Sequence, residues 1–215
     1  MNIQNDTVKQ GRKLQQVLEG ARTVFLQHGF EGASVDDIAK SANVSKATLY
    51  SYFPDKRILF MEVAKAECLR QEEMTDEMIG ANANPRDALT TAADRMIRLF
   101  VSPFGRNVFR VCVAEAERFP ELGREFWESG PARVRSKMIA YFNISISRGE
   151  LKIEDCELAA DQFAELCKAD LFSKLVFGVQ DTFSDAEIDR IANGAVDTFL
   201  ARYGTGRHAV NQAAE

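Results

Sequence analysis

Residues 34–56 constrain the fold of this chain most, because two short amphipathic segments are joined there by a tight break. Ser34 can cap the first segment, and Asp37 three residues later completes the pattern of a capping box. After the break at residues 42–44, Ser45 can cap the second segment by accepting from a first-turn amide. Two short helices joined in this way form a helix-turn-helix, which places its second helix in the major groove of DNA. The stretch therefore predicts a DNA-binding protein.

The proposed recognition helix, residues 45–52, has a slim outer edge when it is projected at 100° per residue. Leu49 and Phe53 fall on one side and are expected to pack inward, whereas the small residues Ala47 and Ser51 lie roughly opposite. A helix that enters a groove needs little bulk along its leading edge and donors on both shoulders. The donors that flank this edge are Lys46 and Tyr50 on one side and Thr48 and Tyr52 on the other. An ordinary surface helix with mixed polar residues fits this geometry equally well.

The segment from residue 29 to residue 59 resembles the DNA-binding domain of TetR-family transcriptional regulators. The matching positions are Gly29-Phe30, Ala33-Ser34-Val35, Ile38-Ala39, Ala42-Asn43-Val44-Ser45, Thr48-Leu49-Tyr50, Tyr52-Phe53, Lys56 and Leu59. Members of this family are mostly homodimeric bacterial repressors that release DNA when a small molecule binds the C-terminal domain. The resemblance implies DNA contacts at Ser34, Ser45, Lys46, Ala47, Thr48, Tyr50, Ser51, Tyr52 and Lys56. Many relatives carry glycine or proline in or next to the recognition helix, and this chain instead has Ser45-Lys46-Ala47, which leaves its base preference open.

The charge of the 215-residue chain is distributed unevenly. The whole chain carries −5 at pH 7, which alone argues against binding DNA. Residues 1–57, however, hold eight Lys or Arg against six Asp or Glu, whereas the remainder holds 19 against 26. Only the N-terminal part is expected to face phosphate, and the acidic remainder limits unspecific adhesion to nucleic acid. Because the basic excess is small, the paired contacts of a dimer are expected to supply the affinity.

An enzyme is the main rival from another functional class, and the sequence lacks the motifs of one. It has no GxSxG elbow, Walker-type loop, HExxH or dinucleotide fingerprint, and its only histidines are His28 and His208. No CxxC pair occurs, so no metal or cofactor is predicted, and thiol redox sensing stays a minor alternative. The cysteines are Cys68, Cys112, Cys156 and Cys167. Without a secretory signal or the ~20 apolar residues that span a bilayer, the sequence predicts a cytoplasmic protein with no membrane contact.

Helical patterns continue along the whole chain, and they predict an all-α fold with two domains. Residues 1–57 are expected to form a three-helix DNA-binding domain, and residues 58–215 a C-terminal helical bundle for ligand binding and dimerisation. Residues 80–84 form the clearest linker, and Gly130-Pro131 is expected to break the helix that follows Pro120. The other predicted helices cover residues 12–28, 54–78, 85–101, 103–119, 155–177 and 185–203.

The stretch 114–151 is similar to the C-terminal domain of a TetR subgroup of the AefR-like kind, which extends the resemblance over most of the chain. Within the next predicted helix, 155–177, apolar residues spread round the circumference. Such a helix needs either a second buried face inside the chain or burial against another subunit. TetR-like proteins form a four-helix dimer interface from their last two long helices. The resemblance therefore favours a homodimer through residues 155–177 and 185–203.

The central helices are rich in aromatic residues, which are more often core than pocket. Together, some are expected to line an apolar cavity for an unknown small-molecule effector. The candidate lining residues are Met96, Phe100, Phe104, Phe109, Trp127 and Phe142. The sequence thus predicts a ligand-responsive TetR-type repressor that binds a palindromic DNA operator as a homodimer. The alternative is a helical small-molecule-binding or protein-interaction module without specific DNA binding.

Overall fold

The computed structural model describes residues 3–78 and 83–206. These residues form eleven α-helices and no β-strand, so the predicted all-α class is confirmed. The predicted linker falls largely outside the described residues, and His208 falls wholly outside them. No helix in the described ranges combines the length and apolar character needed to cross a bilayer. The helices are α1 (Ile3–Gly32), α2 (Val35–Ser41), α3 (Lys46–Tyr52), α4 (Lys56–Met78), α5 (Pro85–Val101), α6 (Pro103–Glu115), α7 (Pro120–Ser129), α8 (Pro131–Ser147), α9 (Cys156–Leu166), α10 (Leu171–Val176) and α11 (Asp185–Tyr203).

The first compact unit contains residues 3–68 together with Pro103–Trp127. Phe60 of α4 lies at the centre of its core, with ring centroids 4.9 Å from Phe25, 5.1 Å from Phe30 and 5.6 Å from Phe104. Burying a Phe side chain contributes about 1.5–3 kcal/mol, so this cluster holds α1, α4 and α6 firmly together. α2 and α3 add their own apolar faces to the same core.

The second compact unit contains residues 69–78, 83–102 and 128–206. Its central helix is α11, which lies against α5 and α9. The Phe199 ring lies 5.2 Å from that of Phe142 and 5.3 Å from that of Phe163. Ser184 and Glu187 cap α11 as a capping box, which confirms the start predicted for this helix. The apolar face of α11, which includes Ile188, Val196 and Phe199, is buried within this unit.

The single helix predicted over residues 155–177 was wrong, because the chain breaks at residues 167–170 between α9 and α10. Asp170 takes a positive φ of 62°, with the Leu171 amide donating to the Ala169 carbonyl at 2.7 Å, and the break gives the two short helices separate buried faces. Most of the apolar residues that spread round the predicted helix are thus covered inside the chain. These residues are Ala159, Phe163, Cys167, Leu171 and Leu175. Leu158, Phe177 and Val179 are the large apolar side chains left exposed in residues 155–179.

The remaining helix predictions agree with the structure at most positions. α5 begins and ends where the pattern placed it, and the helix after Pro120 breaks at Gly130. α1 is longer than predicted, but it kinks at Gly29, where φ is 69° and a Cβ would meet the Asn107 amide at 2.8 Å. The division of function at residue 57 stays a prediction.

Candidate nucleic-acid interface

Two N-caps set the frame of the helix-turn-helix. The Ser34 hydroxyl accepts from the amide of Asp37 at 3.0 Å, and the Ser45 hydroxyl accepts from that of Thr48 at 3.1 Å. Both serines have extended backbone dihedrals, as N-cap residues do. Between the helices, Asn43 adopts a left-handed φ of 49°, which lets the amide of the next residue donate to the Ala39 carbonyl at 3.0 Å. The predicted N-caps and turn are confirmed, whereas the capping box predicted for Ser34 and Asp37 is not, because the Asp37 carboxylate accepts from the Ser34 hydroxyl.

The inner face of the helix-turn-helix packs directly on α1. Ile38, Leu49 and Phe53 are buried, which confirms the inward side predicted for the recognition helix. Gly20 of α1 is the residue that permits this approach, because a Cβ there would lie 2.5 Å from the Ala42 backbone. Gly20 was not predicted to have this role, since a glycine inside a helical pattern carries no mark of its packing.

The outer face of α3 is slim and polar. Lys46, Ala47, Tyr50 and Ser51 are exposed, with 47% of the Tyr50 surface accessible, and Thr48 is half-buried. The exposed strip therefore combines small side chains with an ammonium, hydroxyls and a phenol. These groups can donate to phosphate oxygens and to base edges.

Several predicted contact residues already take part in local hydrogen bonds. The Ser34 hydroxyl donates to the Asp37 carboxylate at 2.5 Å, and that of Ser51 donates to the Thr48 carbonyl at 2.7 Å. The Ser45 and Thr48 hydroxyls lie 2.9 Å apart. Tyr52 packs against the core of the first unit. The serine hydroxyls thus cap helices or bond to the backbone of α3, and the Tyr52 ring is partly buried against the core of the first unit.

Lys46, the first residue of α3, forms an ion pair with Asp36 of α2. Its Nζ lies 2.5 Å from the Asp36 carboxylate, and both side chains are more than half exposed. The hydrogen bond that Lys46 donates to Asp36, helped by the charge of the carboxylate, raises the pKa of Lys46, so the ammonium stays charged. The Lys46 ammonium and the Asp36 carboxylate therefore lie side by side at the start of the recognition helix.

Lys56 faces the turn that follows α1. Its Nζ donates to the Phe30 carbonyl at 2.9 Å and to the Ala33 carbonyl at 3.1 Å, and it lies 4.5 Å from the centroid of the Phe30 ring. An ammonium has three N–H donors, so one remains beyond these two backbone bonds. Lys56 was predicted only as a DNA contact, so this anchoring role was not predicted.

Arg57 links the start of α4 to the end of α6. Its guanidinium donates to the Asp55 carboxylate at 2.7 Å and to both Glu115 oxygens at 3.0 Å. The hydrogen bond to Asp55 is the main cause that raises the pKa of Arg57, and the hydrogen bond to Glu115 is the second. The hydrogen bond between Arg57 and Asp55 also lowers the pKa of Asp55. This ion-pair network fixes the loop that leads out of α3, and no sequence motif indicated it.

The six predicted ligand-binding residues do not form one cluster in either unit. Phe104 is in the core of the first unit, where Phe109 and Trp127 are 38% and 55% exposed. Phe142 is buried in the core of the second unit, with Met96 and Phe100 packed against it. Two shallow pockets in the described residues, of about 380 and 310 Å³, are lined by other residues. The ligand site therefore stays a prediction.

The cysteines of the described residues are free thiols, and the more buried ones are poor nucleophiles. Burial raises the pKa of Cys112 to about 11 and that of Cys167 to about 12. The thiolate is the reactive form of cysteine, so redox sensing needs a thiol with a low pKa. Neither Cys112 nor Cys167 has one. No group of His, Cys, Asp and Glu in the described ranges is arranged to hold a metal ion.

Two protein-family models match the chain in succession. The model of bacterial regulatory proteins of the TetR family matches residues 17–63, and that of the AefR-like transcriptional repressor C-terminal domain matches residues 87–205. Among curated proteins, the transcriptional repressor AcnR of Corynebacterium glutamicum is 36% identical over 63 residues, or 29% of this chain. That match spans only 34% of the length of AcnR.

Solved structures match over nearly the full length. A TetR-family regulator from Mesorhizobium loti is 28% identical with a TM-score of 0.79, covering 91% of this chain and 98% of that protein. The flavonoid-responsive regulator FrrA is 31% identical with a TM-score of 0.64, covering 91% of this chain and 99% of FrrA. The similarity thus includes both the helix-turn-helix and the helices that follow it.

Proposed function

Since the chain belongs to the TetR family of bacterial transcriptional regulators, we propose that it represses transcription by binding a palindromic operator as a homodimer. The observation that carries this proposal is the exposed edge of α3, held in place by two N-caps and by the packing of Gly20 against Ala42. A rigid frame of this kind presents side chains to a groove without a further cost of ordering. The family consists of regulators, not enzymes. We place the protein in the cytoplasm, where its DNA would be.

We assign the direct DNA contacts of this proposal to the outer face of the helix-turn-helix. Tyr50, Thr48 and Ala47 would meet base edges or the groove floor, and Lys46 would meet a phosphate. Ser34 and Ser45 lie at helix N-termini, which favour phosphate binding. Ser51, Tyr52 and the third N–H of Lys56 complete the proposed contacts. All of these groups lie in or beside the segment matched by the DNA-binding family model.

The dimer would form through the last two long helical regions, α9–α10 and α11. Leu158 is 51% exposed, and Phe177 and Val179 are 81% and 73% exposed. These exposed apolar side chains lie in or next to the helices through which members of this family are expected to dimerise. Two recognition helices about 34–36 Å apart would then read successive half-sites of a palindrome.

The effector would be a small molecule bound by the C-terminal helices. FrrA is a flavonoid-responsive regulator, so an aromatic compound is the first effector to test for this chain. Such a molecule would act by preferring a conformation in which the two recognition helices no longer match adjacent major grooves. A panel of flavonoids added to the protein–operator complex, with release of DNA as the readout, tests this part separately.

The substitution Tyr50→Ala tests operator binding most directly. The operator is first selected from a random duplex pool, and affinity is then compared with that for a scrambled duplex at two salt concentrations. Tyr50→Ala should weaken operator binding at least about fivefold, because one good base contact contributes ~1–3 kcal/mol. Its melting temperature should not change, since the Tyr50 side chain is largely outside the core.

Leu26→Ala is the control, because Leu26 is 41% exposed in the same unit but lies on α1. It should leave operator affinity unchanged. Selection of no preferred sequence, or equal binding to operator and scrambled duplex, would contradict the proposal. That result would favour a helical interaction module without specific DNA binding.

A further inference from the structure

The start of the recognition helix carries a negative charge directly beside its lysine. Asp36 lies in the first turn of α2, and its carboxylate is 2.5 Å from the Lys46 ammonium. The neighbouring carboxylate, Asp37, instead accepts from the Ser34 hydroxyl at 2.5 Å. The two adjacent acids therefore have different partners, and only Asp36 faces the recognition helix through an ion pair.

This ion pair is placed where it competes with DNA. Lys46 is exposed at the first position of α3, so its ammonium is among the first cations that an approaching phosphate would meet. A phosphate that binds Lys46 must displace the Asp36 carboxylate or accept a like charge close by. Phosphates are the same in every sequence, so this penalty applies to all DNA, including DNA that offers no base contacts.

We propose that Asp36 limits the phosphate affinity of the recognition helix, because it holds the Lys46 ammonium in an ion pair that any DNA must break. Operator DNA stays bound through base contacts of Thr48 and Tyr50, whereas non-operator DNA lacks these contacts and is released more readily. The inference rests on the proposed function, because it presupposes that α3 binds an operator. Asp36 thus acts against binding, on a surface where Lys46, Thr48 and Tyr50 favour it.

The size of the effect follows from the exposure of the pair. Exposed ion pairs are weak, so release of Lys46 should change affinity by about fivefold per subunit at most. The salt dependence is a more direct readout. Each further phosphate contact makes the slope of log K against log salt steeper by about 0.9. A freed Lys46 should therefore be visible in the slope even where the change in affinity is modest.

The test compares Asp36→Asn with Asp37→Asn in the full-length chain. Both variants remove one negative charge from the first turn of α2, but only Asp36→Asn frees Lys46. Binding to the selected operator and to a scrambled duplex is measured at several salt concentrations. For Asp36→Asn we expect about threefold to fivefold tighter binding and a steeper salt slope on both the scrambled duplex and the operator. Asp37→Asn should give only the smaller, general effect of a lost charge.

A Lys46→Met background completes the cycle, because Asp36→Asn should there behave like Asp37→Asn. Equal effects of the two Asn variants in the wild-type background would overturn the inference. Weaker operator binding by Asp36→Asn would also overturn it, since it would mean that Asp36 orients Lys46 for a base contact. Failure of the proposed function looks different: the wild-type protein itself would not distinguish operator from scrambled duplex.

Discussion

At the scale of single residues, the helix-turn-helix depends on the N-caps Ser34 and Ser45, on the close approach at Gly20 and on the Lys56 ammonium. Ser34, Ser45 and Leu49 could be assigned from the sequence, because capping and helical periodicity are local properties. Gly20 and Lys56 could not be assigned in this way, because their roles depend on contacts with residues more than 20 positions away. Such contacts exist only once the helices have packed.

Gly20→Ala should destabilise the first unit. The added methyl would lie 2.5 Å from the backbone of Ala42, so α2 would have to move away from α1. Overpacking of this kind costs about 1–3 kcal/mol, which exceeds the gain of up to ~1 kcal/mol from alanine in a helix. Chemical denaturation should show the loss, and operator affinity should fall with it. Gly11→Ala is the control on the same helix, since no atom lies within 4 Å of that position, and it should be neutral or stabilising.

Lys56→Met should loosen the turn that follows α1. The Phe30 and Ala33 carbonyls would lose their charged donor, at a cost of about 1–2 kcal/mol because the site is only partly buried. The free energy of unfolding measures this loss. Lys40→Met, at an exposed lysine of α2, should change stability by less than about 0.5 kcal/mol. If the two variants were equally stable, the anchoring role of Lys56 would be excluded.

At the scale of helices, the boundaries with chemical marks could be predicted and the others could not. Pro85, Gly130-Pro131 and Ser184 mark ends that the structure confirms. The break at residues 167–170 has no proline or glycine, and its residue with positive φ is Asp170. Asp170 forms ion pairs with Lys174 on α10 and with Arg190 on α11. The contact with Arg190 exists only in the packed structure, and the local sequence carries no mark of the break.

The capping box of α11 should make the second unit sensitive to acid. Hydrogen bonds from the Ser184 backbone, then from Gln180 and the Ser184 hydroxyl, lower the pKa of Glu187 from 4.5 to about 2. A lowered folded-state pKa means that the stabilisation is complete above pH 4.5 and is lost as the pH falls towards 2. Glu187→Ala should therefore melt below the wild type at pH 7, and the difference should shrink in that window.

Asp189→Ala is the control for this prediction, because it removes an exposed carboxylate from the same helix. It should change the melting temperature little. A difference between Glu187→Ala and the wild type that stays constant from pH 7 to pH 3 would contradict the cap as its cause.

At the scale of the whole molecule, the sequence predicted the class of fold and the position of the DNA-binding segment, because both depend on repeated local patterns. The ligand-binding residues were predicted from aromatic content alone, which does not distinguish a core from a pocket. Phe104 and Phe142 illustrate this limit, since each is buried in the core of a different unit. The apolar pattern of residues 155–177 likewise could not show which residues the chain covers itself. Leu158, for example, is an apolar residue of this segment that the chain leaves exposed.

Leu158→Glu tests the proposed dimer with little risk to the fold. Leu158 is 51% exposed on α9, so a charge there is tolerated by the single chain but opposes burial against a second copy. The wild type should have twice the chain mass of 24.0 kDa in light scattering, and its melting temperature should rise with protein concentration. The variant should shift towards the single-chain mass, with unchanged helical content.

Ile144→Glu provides the matched control, because Ile144 is 46% exposed but lies on α8, outside the proposed interface. It should keep the dimer and the operator affinity. Leu158→Glu should bind operator much more weakly, because a single recognition helix with so small a basic excess makes few phosphate contacts. A dimer that survives Leu158→Glu and is lost in Ile144→Glu would move the interface to α8. A wild-type protein of single-chain mass that still binds the operator tightly would remove the need for a dimer altogether.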